Sequence, residues 1–228
     1  KDFDAVVNRS RSVAETMSKG VQFLMKKNKI DVISGHGSLL PGKKVHVKAE
    51  DGSEQELSAQ HIIVATGARS RELPSLPQDG EKVIGYRKAM TLDKQPKKLV
   101  VVGSGAIGVE FAYFYNAMGT EVTLVEYMPR IVPVEDEEIS KQMERSFKKA
   151  GINVLTNAEV TAVDTSGKGV TATVKTKKGE EEIKADVVLS AVGIKTNIEN
   201  IGLEEVGIAT DRDKILVNDY YQTNIPGY

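Results

Sequence analysis

The sequence predicts an α/β fold built on a Rossmann-like βαβ sheet with an antiparallel β-meander, and three observations carry that prediction. A wholly apolar strand runs straight into a Gly-x-Gly-x-x-Gly turn and a helix. A second strand follows and ends on an acid. Two hairpins of matched length each lead into a strand that ends at glycine.

In chain order, apolar residues at Val6, Val13, Met17, Val21, Leu24 and Met25 approximate a 3.6-residue period, which predicts one long helix over 2–28. Gly20 disturbs it only mildly. Ile30–Ile33 reads as a short buried strand ending at Gly35-His36-Gly37. Residues 43–49 and 54–57 alternate around Glu50-Asp51-Gly52, a hairpin signal. His61–Ala65 reads as an apolar strand stopping at Thr66-Gly67. Pro74, Pro77, Asp79 and Gly80 mark a loop, and Gln95-Pro96-Lys97-Lys98 reads as a linker.

From Leu99 the pattern changes. Leu99-Val100-Val101-Val102 is apolar throughout, as a parallel strand covered on both faces must be. Gly103-Ser104-Gly105-Ala106-Ile107-Gly108 comes next, then a helix to about Met118 that stops at Gly119. A second strand, 121–125, carries Glu126 at its end.

Each piece suits a dinucleotide. Gly103 permits the tight turn, Gly105 lets backbone approach a pyrophosphate, and Gly108 lets helix and strand pack closely. The first helical N–H groups then face phosphate with the positive end of the helix dipole. Glu126 lies eighteen residues after Gly108, where a carboxylate accepts hydrogen bonds from ribose hydroxyls and repels a 2′-phosphate. The preferred cofactor is therefore NAD rather than NADP. The plain alternative is a structural glycine turn with Glu126 as a solvated strand end.

Composition narrows the field. In 228 residues, 31 Lys and Arg nearly cancel 32 Asp and Glu, which argues against a nucleic-acid or anionic-membrane footprint. No apolar run approaches the roughly 18 residues needed to span a bilayer, and a cytoplasmic protein is expected. There is no Cys, hence no disulfide, thiol nucleophile or zinc–thiolate site.

The hairpins form an internal repeat. Gly52 precedes Gly67 by 15 residues and Gly179 precedes Gly193 by 14, each pair spanning an acidic strand and an apolar one. A duplicated nucleotide-binding domain accounts for this, with Gly193 returning beside the βαβ unit. The first copy has no glycine fingerprint upstream of Thr66-Gly67. The chain is therefore expected to be a piece of a longer protein.

Val101–Glu110, Ala65-Thr66-Gly67, Glu126-Tyr127-Met128-Pro129-Arg130 and Thr223–Tyr228 together resemble the pyridine nucleotide-disulfide oxidoreductases over the whole chain. Within that family the chain is most similar to the flavoenzymes that reoxidise dihydrolipoamide in 2-oxo acid dehydrogenase complexes. The resemblance implies an NAD-binding domain over 90–197, inserted in a related FAD-binding domain represented by 1–89, with 198–228 opening a central segment. It implies that the chain begins just after the redox-cysteine helix, and that the parent is a homodimer.

By position, the resemblance assigns Gly103, Ser104, Gly105, Ala106, Ile107 and Gly108 to the NAD pyrophosphate, with Val109 among the cofactor-binding residues and Glu110 near the nicotinamide. Glu126 would bind the adenosine ribose, Val160 would pack near adenine, and Gly193 would sit against the cofactor. Gly37, Thr66, Gly67 and Ala68 would belong to the FAD side. Ile194 departs from the Arg usual after that glycine. No catalytic residue is implied within the chain, because the cysteine pair, the flavin fingerprint and the His-Glu base pair are absent. FAD binding by the chain alone is expected to be weak or lost, and lipoamide activity absent.

Other readings stay open at this point. An NADH oxidase or mercuric reductase of the same family would differ in the missing cysteine region, and a non-catalytic NAD-binding module would share everything seen. Glu110 also reads as a solvated helix-face acid and Val160 as an ordinary strand residue. His36, His46 and His61 show no metal-ligand spacing and no carboxylate partner. Glu135-Asp136-Glu137-Glu138 reads as a helix start favoured by the dipole rather than a metal site, and Glu180–Glu182 as a solvated strand.

Overall fold

A computed structural model describes residues 1–228. In chain order the elements are α1 (Phe3–Lys27), β1 (His36–Leu40), β2 (Lys44–Lys48), β3 (Glu54–Ser58), β4 (Ala68–Ser70), β5 (Val83–Ile84), α2 (Tyr86–Ala89) and β6 (Lys98–Val102). There follow α3 (Ala106–Met118), β7 (Glu121–Val125), α4 (Glu137–Lys149), β8 (Asn153–Leu155), β9 (Glu159–Asp164), β10 (Val170–Thr176) and β11 (Gly179–Ala185). The last strands are β12 (Val187–Ser190), β13 (Ile194–Thr196), β14 (Thr210–Asp211) and β15 (Lys214–Ile215). The chain forms two compact units, one of residues 1–15 and 70–194, the other of residues 16–69 and 195–228.

The first unit is the α/β one. Its five-stranded sheet has the order β5-β12-β6-β7-β8, and its strands run parallel, with Leu99 opposite Val122 and Val187. The all-apolar run at 99–102 now has its reason. Leu99 and Val101 pack with Val109, Ala112 and Tyr115 of α3, while Val100 and Val102 pack with Val160, Ala172 and Val174 of the meander β9-β10-β11. A strand sandwiched in this way has no face for a polar residue. Gly119 closes α3 in the left-handed region (φ 105°), its N–H donating to the Asn116 carbonyl. At α4, Asp136 caps the N-terminus by accepting from the N–H groups of Glu138 and Ile139, and Glu137 pairs with Lys141 at 2.7 Å.

The expected linker at 95–98 is instead tied into this unit. Asp186 accepts from the N–H groups of Lys97 and Lys98, and the Gln95 amide donates to the Met118 carbonyl. A short polar stretch reads as a linker only while its long-range partners are unknown.

The second unit holds the other meander, β1-β2-β3, with Val45 opposite Leu39 and Leu57. The two meanders share strand order and sense, as the internal repeat required. Leu39, Ile201, Leu203 and Ile208 form this unit's core. His46 does have a carboxylate partner, contrary to the sequence reading, because the hairpin register places Glu54 Oε2 3.3 Å from its Nε2.

Two expected strands do not form. Residues 30–33 and 61–65 lie outside every sheet, with Val32 71% and Ile63 91% exposed. A strand exists only through a ladder, and no strand of this chain runs beside either segment; Ile62 donates a single backbone bond, to the Gly227 carbonyl. The corresponding segment of the second copy, β12, is a strand because β5 and β6 flank it.

Candidate functional site

The C-terminal ends of β6, β7 and β12 lie side by side in the parallel sheet, the usual place for a ligand in such folds. A cleft of about 690 Å³ opens there. Its floor is the glycine turn, 103–107. One wall carries Glu126, Tyr127 and Met128 with Val160, and the other carries Val192, Gly193 and Ile194. The lining is mostly apolar, with a few polar groups, as dinucleotide sites are.

The three glycines have three distinct reasons. Gly103 has φ +95°, and a Cβ there would lie 2.4 Å from the Ala191 carbonyl oxygen. A Cβ on Gly108 would lie 1.9 Å from the Gly103 carbonyl oxygen, so this glycine lets helix and turn touch. Gly105 differs: its φ of −67° suits any residue, and a Cβ would meet nothing within 4 Å. No part of the protein requires glycine at 105. The missing Cβ leaves the backbone there open to close approach.

Gly105 is the N-cap of α3, makes no side-chain cap, and the first turn of the helix holds no acid. The leading N–H groups of α3 are thus unclaimed by side chains and lie at the positive end of the dipole, an anion site. The rest of the turn is braced. The Gly103 N–H donates to the Val125 carbonyl, and the Val132 N–H donates to the Ser104 carbonyl.

Glu126 sits at the end of β7, 7% exposed. Its Oε2 accepts from the Ser104 N–H (2.8 Å) and the Ser104 hydroxyl (2.5 Å), and its Oε1 accepts from the Met128 N–H (2.7 Å). Three donors hold the carboxylate in one orientation, in a place largely closed to water. The free acid at a strand end that the sequence suggested is therefore already the brace of the glycine turn.

The cleft brings together Gly103, Ser104, Gly105, Ala106, Ile107, Glu126, Val160 and Gly193. It leaves out three residues of the same stretch. Gly108 is packed against the turn, Val109 is buried in the helix-side core, and Glu110 lines a separate groove with Tyr113, Ile139 and Met143. Gly37, Thr66, Gly67 and Ala68 belong to the other unit. Gly37 lies in β1 opposite Val47, and the Thr66 and Gly67 carbonyls accept from the side chain and N–H of Asn197. Sequence reasoning missed Leu73, Leu76, Pro133 and Val134 of the cleft lining, all from loops without a motif.

A family model described as pyridine nucleotide-disulphide oxidoreductase matches residues 2–227. The chain is 45% identical to a dihydrolipoyl dehydrogenase of Rhizobium etli, over 99% of this chain and 50% of that protein. It is 42% identical to a dihydrolipoyl dehydrogenase of Zymomonas mobilis, over 98% of this chain and 48% of that protein. Among solved structures, LpdA of Mycobacterium tuberculosis superposes with a TM-score of 0.90 at 31% identity, covering 98% of this chain and 50% of that one. The chain spans about half the length of the curated relatives it matches.

Proposed function

The chain belongs to the pyridine nucleotide-disulphide oxidoreductases, and on that premise we propose that it is the NAD-binding part of a dihydrolipoyl dehydrogenase. Relatives of that name match it along nearly its whole length. The observation that carries the cofactor reading is Gly105, a glycine at an unobstructed helix N-cap whose missing Cβ leaves the first N–H groups of α3 open to a ligand.

In this reading the cleft binds NAD by its pyrophosphate at the first N–H groups of α3 and by its adenosine ribose at Glu126. The walls at Val160 and Gly193 exclude water from the bound nucleotide. When bound, NAD supplies the hydride acceptor, and the family's flavin would supply the electron path from a dithiol, which is oxidised to a disulfide. The chain's own residues orient and select the nucleotide. They do no dithiol chemistry, because the sequence has no Cys. FAD affinity of the 228-residue chain is weak in this reading, because its sequence holds no flavin glycine fingerprint upstream of Thr66-Gly67. The parent acts as a cytoplasmic homodimer serving a 2-oxo acid dehydrogenase complex; the resemblance supports this.

Titration of the purified chain with NADH, followed by nicotinamide fluorescence, tests the reading. Saturable binding of one NADH per chain, with no turnover of dihydrolipoamide and NAD, is expected. Absence of binding refutes the cofactor role, and dihydrolipoamide turnover refutes the assignment of the redox chemistry to other segments.

A further inference from the structure

We infer that Ser104 is a positioning residue for cofactor choice, its hydroxyl holding the Glu126 carboxylate in the place from which it accepts NAD and rejects NADP. The inference rests on the reading that the cleft takes a pyridine nucleotide at Glu126.

Ser104 is fully buried, so its hydroxyl does not meet a ligand directly. What it meets is Glu126 Oε2, at 2.5 Å, beside its own N–H on the same oxygen at 2.8 Å. Two donors on one carboxylate oxygen occupy both of its in-plane lone pairs. Oε1 takes the Met128 N–H and retains one acceptor position. That position is what remains for ribose.

The same bonds forbid the carboxylate to turn aside. A 2′-phosphate entering the cleft meets a negative group that could retreat only by abandoning three donors, two of them on a residue that water does not reach. Selectivity then comes from repulsion held in place, not only from a favourable contact with the correct nucleotide. The Ser104 backbone is fixed independently, by the Val132 N–H on its carbonyl. A residue without a hydroxyl at 104 would therefore keep the turn and both backbone donors while freeing the carboxylate to rotate. The middle position of the glycine turn becomes a control on selectivity, although its side chain never touches the nucleotide.

The 228-residue chain, S104A, E126A and the double variant are titrated with NADH and with NADPH by calorimetry, and each is melted to confirm folding. S104A is expected to weaken NADH binding about tenfold, the loss of one charge-assisted hydrogen bond, and to move NADPH less, so that the preference narrows. In the E126A background the same substitution is expected to change neither constant, because Ser104 acts through Glu126. S104G gives an independent removal of the hydroxyl. If E126A collapses the preference while S104A and S104G leave it unchanged, the role of Ser104 is refuted and the NAD reading stands. If the parent chain binds neither nucleotide, or prefers NADPH, the reading beneath the inference fails with it.

Discussion

Gly105→Ala and Gly108→Ala make the same chemical change three residues apart, and the geometry assigns them opposite consequences. At 108 the new methyl would stand 1.9 Å from the Gly103 carbonyl oxygen and 2.9 Å from its carbon. Both are backbone atoms, so the turn and the start of α3 must separate. Overpacking against backbone costs about 3 kcal/mol, the upper end of the usual range. For a protein of this size that lowers Tm by roughly 6–12 °C. At 105 the φ and ψ of −67° and −177° are open to alanine, and no atom lies within 4 Å. Losing glycine at an N-cap costs about 0.5 kcal/mol, and the stiffer unfolded chain returns a similar amount. Stability should not move. The methyl does occupy the approach to the α3 N–H groups, and losing a charge-assisted bond to the pyrophosphate there weakens NADH about tenfold to 100-fold. Thermal melts and NADH titrations on the two variants read both effects. Parent-like NADH affinity in Gly105→Ala, or a parent-like Tm in Gly108→Ala, would refute the reasoning.

Tyr115 is fully buried and donates its hydroxyl to the Ala89 carbonyl at 2.6 Å, and burial pushes its phenol up to about 12. Tyr115→Phe should cost about 1 kcal/mol, a fall in Tm of roughly 2–4 °C, and leave NADH affinity alone; an unchanged Tm contradicts the bond's worth. In the second unit, the Arg69 guanidinium first and Lys195 next hold the Glu199 carboxyl far below its ordinary value of 4.5. A lowered folded-state pKa gives stability that is complete above pH 4.5 and lost as pH falls toward the folded value. Chemical-denaturant midpoints followed by circular dichroism should therefore fall less steeply on acidification below that point in Arg69→Ala than in the parent. Parallel curves would show that the pair contributes nothing to acid sensitivity.

What could be read from the sequence, and what could not, divides along physical lines. The βαβ unit was legible because its signals are local: strand β6 is apolar on both faces, Gly119 stops α3, and Glu126 ends β7. The capping of α4 by Asp136 was legible for the same reason. Segments 30–33 and 61–65 carry equally apolar residues, yet a strand needs a ladder partner, which composition does not reveal. The Ser104–Glu126 bond depends on register, because Val102 and Val125 pair across the sheet and so bring the following turn and acid together. The His46–Glu54 contact depends likewise on hairpin register. Leu73, Leu76, Pro133 and Val134 reach the cleft from separate loops, and no pattern in one segment announces a wall shared by several.

The central claim is that the glycine turn and Glu126, and not the segment around Thr66 and Gly67, receive the nucleotide. Backbone amide shifts of the 15N-labelled chain on adding NADH test it residue by residue. The account predicts the largest shifts at Ala106, Ile107, Met128 and Gly193. Shifts centred on Thr66–Ala68, with the α3 amides unmoved, would contradict it.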